Sequence, residues 1–165
     1  VANIHLYEPH VEWVTYTPRK PFLVLDRIFP EGAKVPKLFY NRNIIQLPTV
    51  KTHVFTTITG AMKNAFGGLL NDRRHHTHAV IDETLVDLLQ IQQEIHSGLF
   101  AVMDGTFAGD GAGPRAMRPH EKDILLASAE GQSTTTIAHT RRGTDHTGRN
   151  ALPAFHQRSL AALQP

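Results

Sequence analysis

Short apolar runs separated by polar, proline- and glycine-marked connections set the rhythm of this chain. Residues 11–16 (VEWVTY) and 22–25 (FLVL) are β-prone runs divided by the turn TPRKP, and a polar connection with Pro and Gly follows at 30–36. Residues 43–47 (NIIQL) form the next apolar run, closed by Pro48 because proline cannot continue a sheet ladder. Ile58, Met62 and Phe66 then recur at four-residue spacing, which predicts a short helix over 57–66 ended by Gly67 and Gly68. A longer helix is predicted over 80–96, where Ile81, Leu85, Leu88, Leu89 and Ile95 share a face and Asp82, Glu83, Asp87 and Gln90 fall elsewhere. Residues 99–103 (LFAVM) and 124–127 (ILLA) read as buried strands. This alternation predicts an α/β fold: a mostly parallel sheet with flanking helices, whose ligands collect beyond the carboxyl ends of the strands.

After Ala129 the pattern stops. Residues 130–165 contain no lysine and little apolar periodicity, and are rich in Thr, Arg, His and Gly. The expected organisation is an α/β domain over 1–129 and a polar tail over 130–165, either disordered or a non-native, frameshifted terminus on a truncated gene. Translation of the coding DNA in its other frames distinguishes these.

Composition narrows the chemistry. With 165 residues the chain can build one domain with a real core. No stretch approaches 18 consecutive apolar residues and the start lacks the order of a secretory signal, so a cytoplasmic protein with no membrane partner is expected. The absence of cysteine excludes disulfides, thiolate catalysis and any cysteine-ligated iron–sulfur cluster within this chain. A net charge of +2 with scattered basic residues argues against a nucleic-acid footprint.

Candidate chemistry concentrates between Asn43 and Leu70. If 51–53 are extended, Lys51 and His53 point to the same side, and a mobile cation beside an imidazole suits a carboxylate, phosphate or enolate. The competing role is a solvated basic loop. Thr57 or Thr59 would cap the following helix, and Lys63, four residues after Thr59, would reach the same ligand beside Asn64; the competing roles are a snorkelling lysine and an asparagine that fixes the helix end. Residues 73–78 (RRHHTH) suit anion or metal binding, with His78 the better functional candidate and His75 and His76 better placed in a solvated loop; there is no HExxH pattern. Asp104 ends an apolar run, where a carboxylate orients a histidine, binds a cation or caps a turn. Gly109, Gly111 and Gly113, followed by Pro114 and Arg115, predict a flexible loop able to approach a ligand, although not in the order of a dinucleotide-binding or Walker motif.

Taken in order, LPTVKTH, TGAMKNAFGG, the approach to the second helix at His78, VMDG and GAGP resemble the domain of unknown function 362 (DUF362) family over roughly residues 40–130. The resemblance implies an α/β domain, often found beside ferredoxin-like iron–sulfur modules, with no established general activity. By motif it carries over Lys51, His53, Lys63, Asn64, Gly67, His78, Asp104, Gly113 and Pro114. The family continues after an ILLAS-like strand with a further apolar helix that this chain lacks, which leaves the fold open to being incomplete.

The leading expectation is a domain that binds a small anionic or carbonyl-containing ligand through Lys51, His53 and Lys63, with Asn64, Asp104, Gly111, Gly113 and Arg115 at the same rim. If it is an enzyme, His53 or His78 transfers the proton and the lysines stabilise negative charge. The cofactor is unknown. Two alternatives remain: a non-catalytic module partnering an iron–sulfur protein or domain, and a metal-binding domain built on His75, His76 and His78.

Overall fold

The computed structural model describes residues 3–71, 73–113 and 115–129. The tail predicted over 130–165 and Pro114 therefore lie outside the described residues. Among the described residues two sheets, three α-helices and two short 3₁₀ helices make up an α/β fold. Strands β1 (Trp13–Thr15) and β2 (Lys34–Pro36) pair antiparallel in the smaller sheet. The larger sheet holds β3 (Asn43–Gln46), β4 (Thr49–His53), β5 (Thr57–Thr59), β6 (Gly98–Ala112) and β7 (Ala116–Ala129). Its centre is parallel: β3 and β4 both run parallel to β6, and β5 and β7 add antiparallel margins. Because β7 occupies one edge of β6 from Phe100 onward, β3 and β4 lie one after the other along its second edge, with the chain turning at Pro48 between them.

Helix α3 (Ile81–Ile95) follows its predicted span and drives the core. Leu85, Leu88, Leu89, Ile91 and Ile95 pack with Leu25, Phe29, Val35, Phe66 and Leu70 in one buried cluster. Asp82 and Glu83 sit in its first turn, where negative charge suits the helix dipole. Among the described residues no helix is long and apolar enough to cross a membrane.

Five sequence expectations change. Residues 22–25 are not a strand: helix α1 (Leu25–Ile28) begins there, and the amides of Leu23, Val24 and Leu25 donate to the buried carboxylate of Asp87 at 2.8, 3.0 and 3.1 Å. A strand's ladder would need those same amides. The helix predicted over 57–66 is reduced to α2 (Ala61–Ala65), since Thr57–Thr59 pair with β4 instead. Gly60, not Thr57 or Thr59, stands at its amino cap, without a side-chain cap bond. The glycine-rich stretch through Gly109 and Gly111 is not a loop but the distal half of β6, bonded along its length to β7. Finally, the strand predicted over 124–127 begins at Ala116. As an edge strand β7 tolerates Pro119 and its run of charges, which mask strand character in the sequence.

Candidate functional site

The β4–β5 hairpin sets Lys51 opposite Thr59, Thr52 opposite Ile58 and His53 opposite Thr57. Thr52 and Ile58 are buried on one face, so Lys51 and His53 share the other and remain partly exposed. The turn is tight. Thr57 has φ of +60°, and the Ile58 amide donates across it to the Thr56 carbonyl at 2.5 Å, a strained γ-turn for a β-branched residue.

His53 closes this turn with its own ring. The amides of Phe55 and Thr56 donate to Nδ1 at 3.2 and 3.4 Å. A nitrogen that accepts hydrogen bonds carries no proton, so the neutral ring holds its hydrogen on Nε2 and offers that N–H outward. In its neutral form His78 has the opposite tautomer: its Nδ1 donates to the His75 carbonyl at 3.0 Å, and its Nε2 is then the accepting nitrogen. The two imidazoles are thus a donor and a base rather than two equivalent candidates.

Aromatic rings join them. Phe55 lies 5.9 Å from His53 and 5.0 Å from His78 between ring centres, and His78 also contacts Phe66 at 5.5 Å and stacks on His75 at 5.3 Å. Lys63, from α2, stands with Nζ 4.2 Å over the Phe66 ring. Arg74 packs over Tyr7 and donates to its hydroxyl at 2.8 Å. Burial, then Lys63, His78 and Lys51, hold His53 below the ordinary imidazole pKa. Burial, then Arg74 and Lys51, depress Lys63 in the same way. Every charged group named here as acting on the two is basic.

Gly111 and Gly113 also reach this corner. The Thr52 hydroxyl donates to the Gly111 carbonyl at 2.8 Å and the Val54 amide to the Gly113 carbonyl at 3.2 Å. A Cβ on Gly113 would collide with the Thr52 carbonyl, and Gly111 has φ of +100°, so both positions require glycine.

Other predicted residues stand elsewhere or serve the scaffold. Asn64 donates to the Gln46 side chain at 2.6 Å, and Gln46 donates to Gln92 at 3.0 Å, a chain that ties α2 to β3 and α3. Asp104 lies opposite Thr49, about 13 Å along β4 from His53. Its carboxylate accepts from the Thr106 amide and hydroxyl, which hold its pKa low, where β6 shifts register against β7. Arg115 is exposed in the β6–β7 turn. His76 lines a separate cleft with Tyr7, Glu8 and Arg73. Among the described residues no three His, Asp or Glu side chains gather as a metal site, so His75, His76 and His78 do not converge as ligands.

Phe55 was not singled out from the sequence, and Thr57 was read there only as a helix cap. The signal was local: an apolar pair, Val54 and Phe55, after a strand-ending histidine, and a TT pair too short on helix formers to open a helix.

No curated protein and no solved structure matches the chain. A family model, the domain of unknown function DUF362, matches residues 10–137, a span that contains the β4–β5 hairpin, α2, His78 and the glycine tip together. The chain belongs to the DUF362 family.

Proposed function

We propose that this domain binds a small anionic or carbonyl-containing ligand at the carboxyl end of β4. One observation carries the reading: Lys51, Lys63, Arg74 and the two imidazoles of His53 and His78 crowd together, and His53 and Lys63 are depressed by burial and by basic neighbours. An anion relieves that repulsion, and binding then raises both pKa values. His53 Nε2–H and the lysine ammonium groups face the ligand oxygen as donors, and His78 Nε2 accepts a proton from it. A neutral histidine donor with a separate base suits enolisation or hydration of a carbonyl as well as simple binding. The site belongs to a cytoplasmic protein in this reading.

Titration calorimetry with phosphate, oxalate and pyruvate in buffers of different ionisation enthalpy tests the proposal. Binding should be accompanied by proton uptake below pH 6.5, as the depressed His53 regains its proton, and should disappear in Lys63→Met. Binding that persists unchanged in Lys63→Met and Lys51→Ala would refute it.

A second reading, docking of an iron–sulfur partner protein, is favoured by a different feature. Ile45, Phe100 and Leu125 are exposed together on the sheet face opposite the buried Ala101 and Met103. Loss of ferredoxin binding in Leu125→Lys, with anion binding intact, would support it.

A further inference from the structure

Lys51 and His53 hold one face of β4, and on the opposite face, which bears Val50 and Thr52, the sheet carries a separate cavity of about 350 Å³. Side-chain size explains it. The central strand β6 contributes Ala108 and Gly109, the latter paired with Lys51, while Val50 and Ile58 stand on one flank and Ile124 and Leu126 on the other. A strand of small residues between branched neighbours leaves a trough. Met103, fully buried, packs with Ile58 and Leu126 at its base, and a Cβ on Gly105 would lie 2.5 Å from the Ile124 side chain. Gly105 thus gives Ile124 its place in the wall.

The polar groups of this trough are Asp110, His120 and Lys122. Asp110 is engaged by Arg118 at 3.5 Å and by His120 at 3.7 Å, pairs in which Lys122 takes no part. That leaves the Lys122 ammonium to a ligand. We propose that the trough is a second ligand site, independent of the cationic corner, for a monocarboxylic acid with an extended apolar chain: the carboxylate meets Lys122 and the chain runs along β6 toward Leu126. Lys122 and Leu126 are about 13 Å apart along β7, which gives room for several methylenes. One available cation above an apolar floor matches one negative charge on a hydrocarbon, and the volume falls within the range of small-molecule pockets. The walls belong to four strands of one sheet, so the shape exists before the ligand arrives.

The test compares butyrate, hexanoate and octanoate with the matching straight-chain alcohols by titration calorimetry on the full chain. Lys63→Met is the background, so that binding of small acids at the cationic corner does not contribute. Affinity should rise roughly threefold to fourfold per added methylene until the trough is filled. Each acid should bind more tightly than its alcohol, and Lys122→Met should abolish that difference while the dependence on length remains. Ile124→Gln should flatten the dependence on length; if that variant melts non-cooperatively, Ile124→Val serves in its place with a smaller loss. Affinity independent of length, or acids and alcohols bound equally, would overturn the proposal. So would a series seen only with Lys63 in place, which would assign the acids to the cationic corner instead.

Discussion

The two ends of this molecule are built on opposite principles. Around α3 the interior is closed: Leu25, Leu70, Leu85, Leu88, Leu89 and Ile91 are fully buried, and the one carboxylate among them, Asp87, has three amide partners. Tyr16 donates a short hydrogen bond to Glu94 at its margin. At the other end, among the described residues, Ile58, Met103 and Leu126 form a small buried cluster, beneath a cavity of about 350 Å³ and beside a strained turn and crowded like charges. The first region is closely packed and its buried polar side chains have hydrogen-bond partners. The second departs from this pattern at several points, which stability alone does not favour and a ligand-binding surface does.

The largest way to probe that contrast is in the closed half. Leu88→Ala should cost about 2 to 5 kcal/mol by equilibrium denaturation, because a fully buried side chain leaves a cavity. A loss below 1 kcal/mol would mean that the α3 core is not the scaffold. Asp87→Ala should cost somewhat less, about 2 to 3 kcal/mol, as three buried amides lose their acceptor. The open half should respond in the opposite direction. Thr57→Gly should stabilise by about 1 kcal/mol, since glycine adopts φ of +60° without strain, while ligand binding falls as the hairpin loosens.

Acid should separate the halves further. His53 is held below its ordinary pKa of 6.5, so on acidification the unfolded chain takes up the proton first. Its contribution is complete above pH 6.5 and is lost as pH falls from 6.5 toward the folded value. His96, depressed by burial although its bond to the Phe39 carbonyl opposes the shift, acts in the same sense. His53→Asn, whose oxygen still accepts the turn amides but does not titrate, should flatten part of the slope of stability against pH. The smallest effect on stability should be Lys63→Met, under about 1 kcal/mol in either direction, with anion binding abolished. A large unfolding penalty in that variant would make the lysine a structural group.

Legibility in the sequence follows the same division. α3 was readable because its apolar residues repeat with a helical period, whereas β3 was marked only by an apolar run closed at Pro48, with none of its residues buried. Residues 22–25 misled because β-branched and aromatic residues signal a strand only while their amides are available, and Asp87, more than 60 positions away, takes them. Ile58, Met62 and Phe66 are all buried as the helical spacing implied, yet Ile58 belongs to a strand. A four-residue interval across a turn imitates a helix. In the site, Lys51, His53, Lys63 and His78 were legible as residue types, and their grouping was not. Nor were the two tautomers, which depend on backbone groups at 55, 56 and 75 that any side chain could have supplied.

β6 has a further consequence. Its fifteen residues run from Gly98, beside Leu99 on the α3 core, to the glycine tip beside His53, with a register shift against β7 between Gly105 and Phe107 and another against β4 between Asp104 and Gly109. The strand acts as a ruler that transfers position from the scaffold to the ligand corner. Side chains alternate along it, so a single inserted or deleted residue between 99 and 104 would invert every later position. The sheet could survive such a change by slipping, but Gly109 would no longer meet Lys51 and Gly113 would no longer meet Thr52. Insertions should therefore be tolerated at the β6–β7 turn far better than in the apolar start of β6, although the turn lies closer to the ligand.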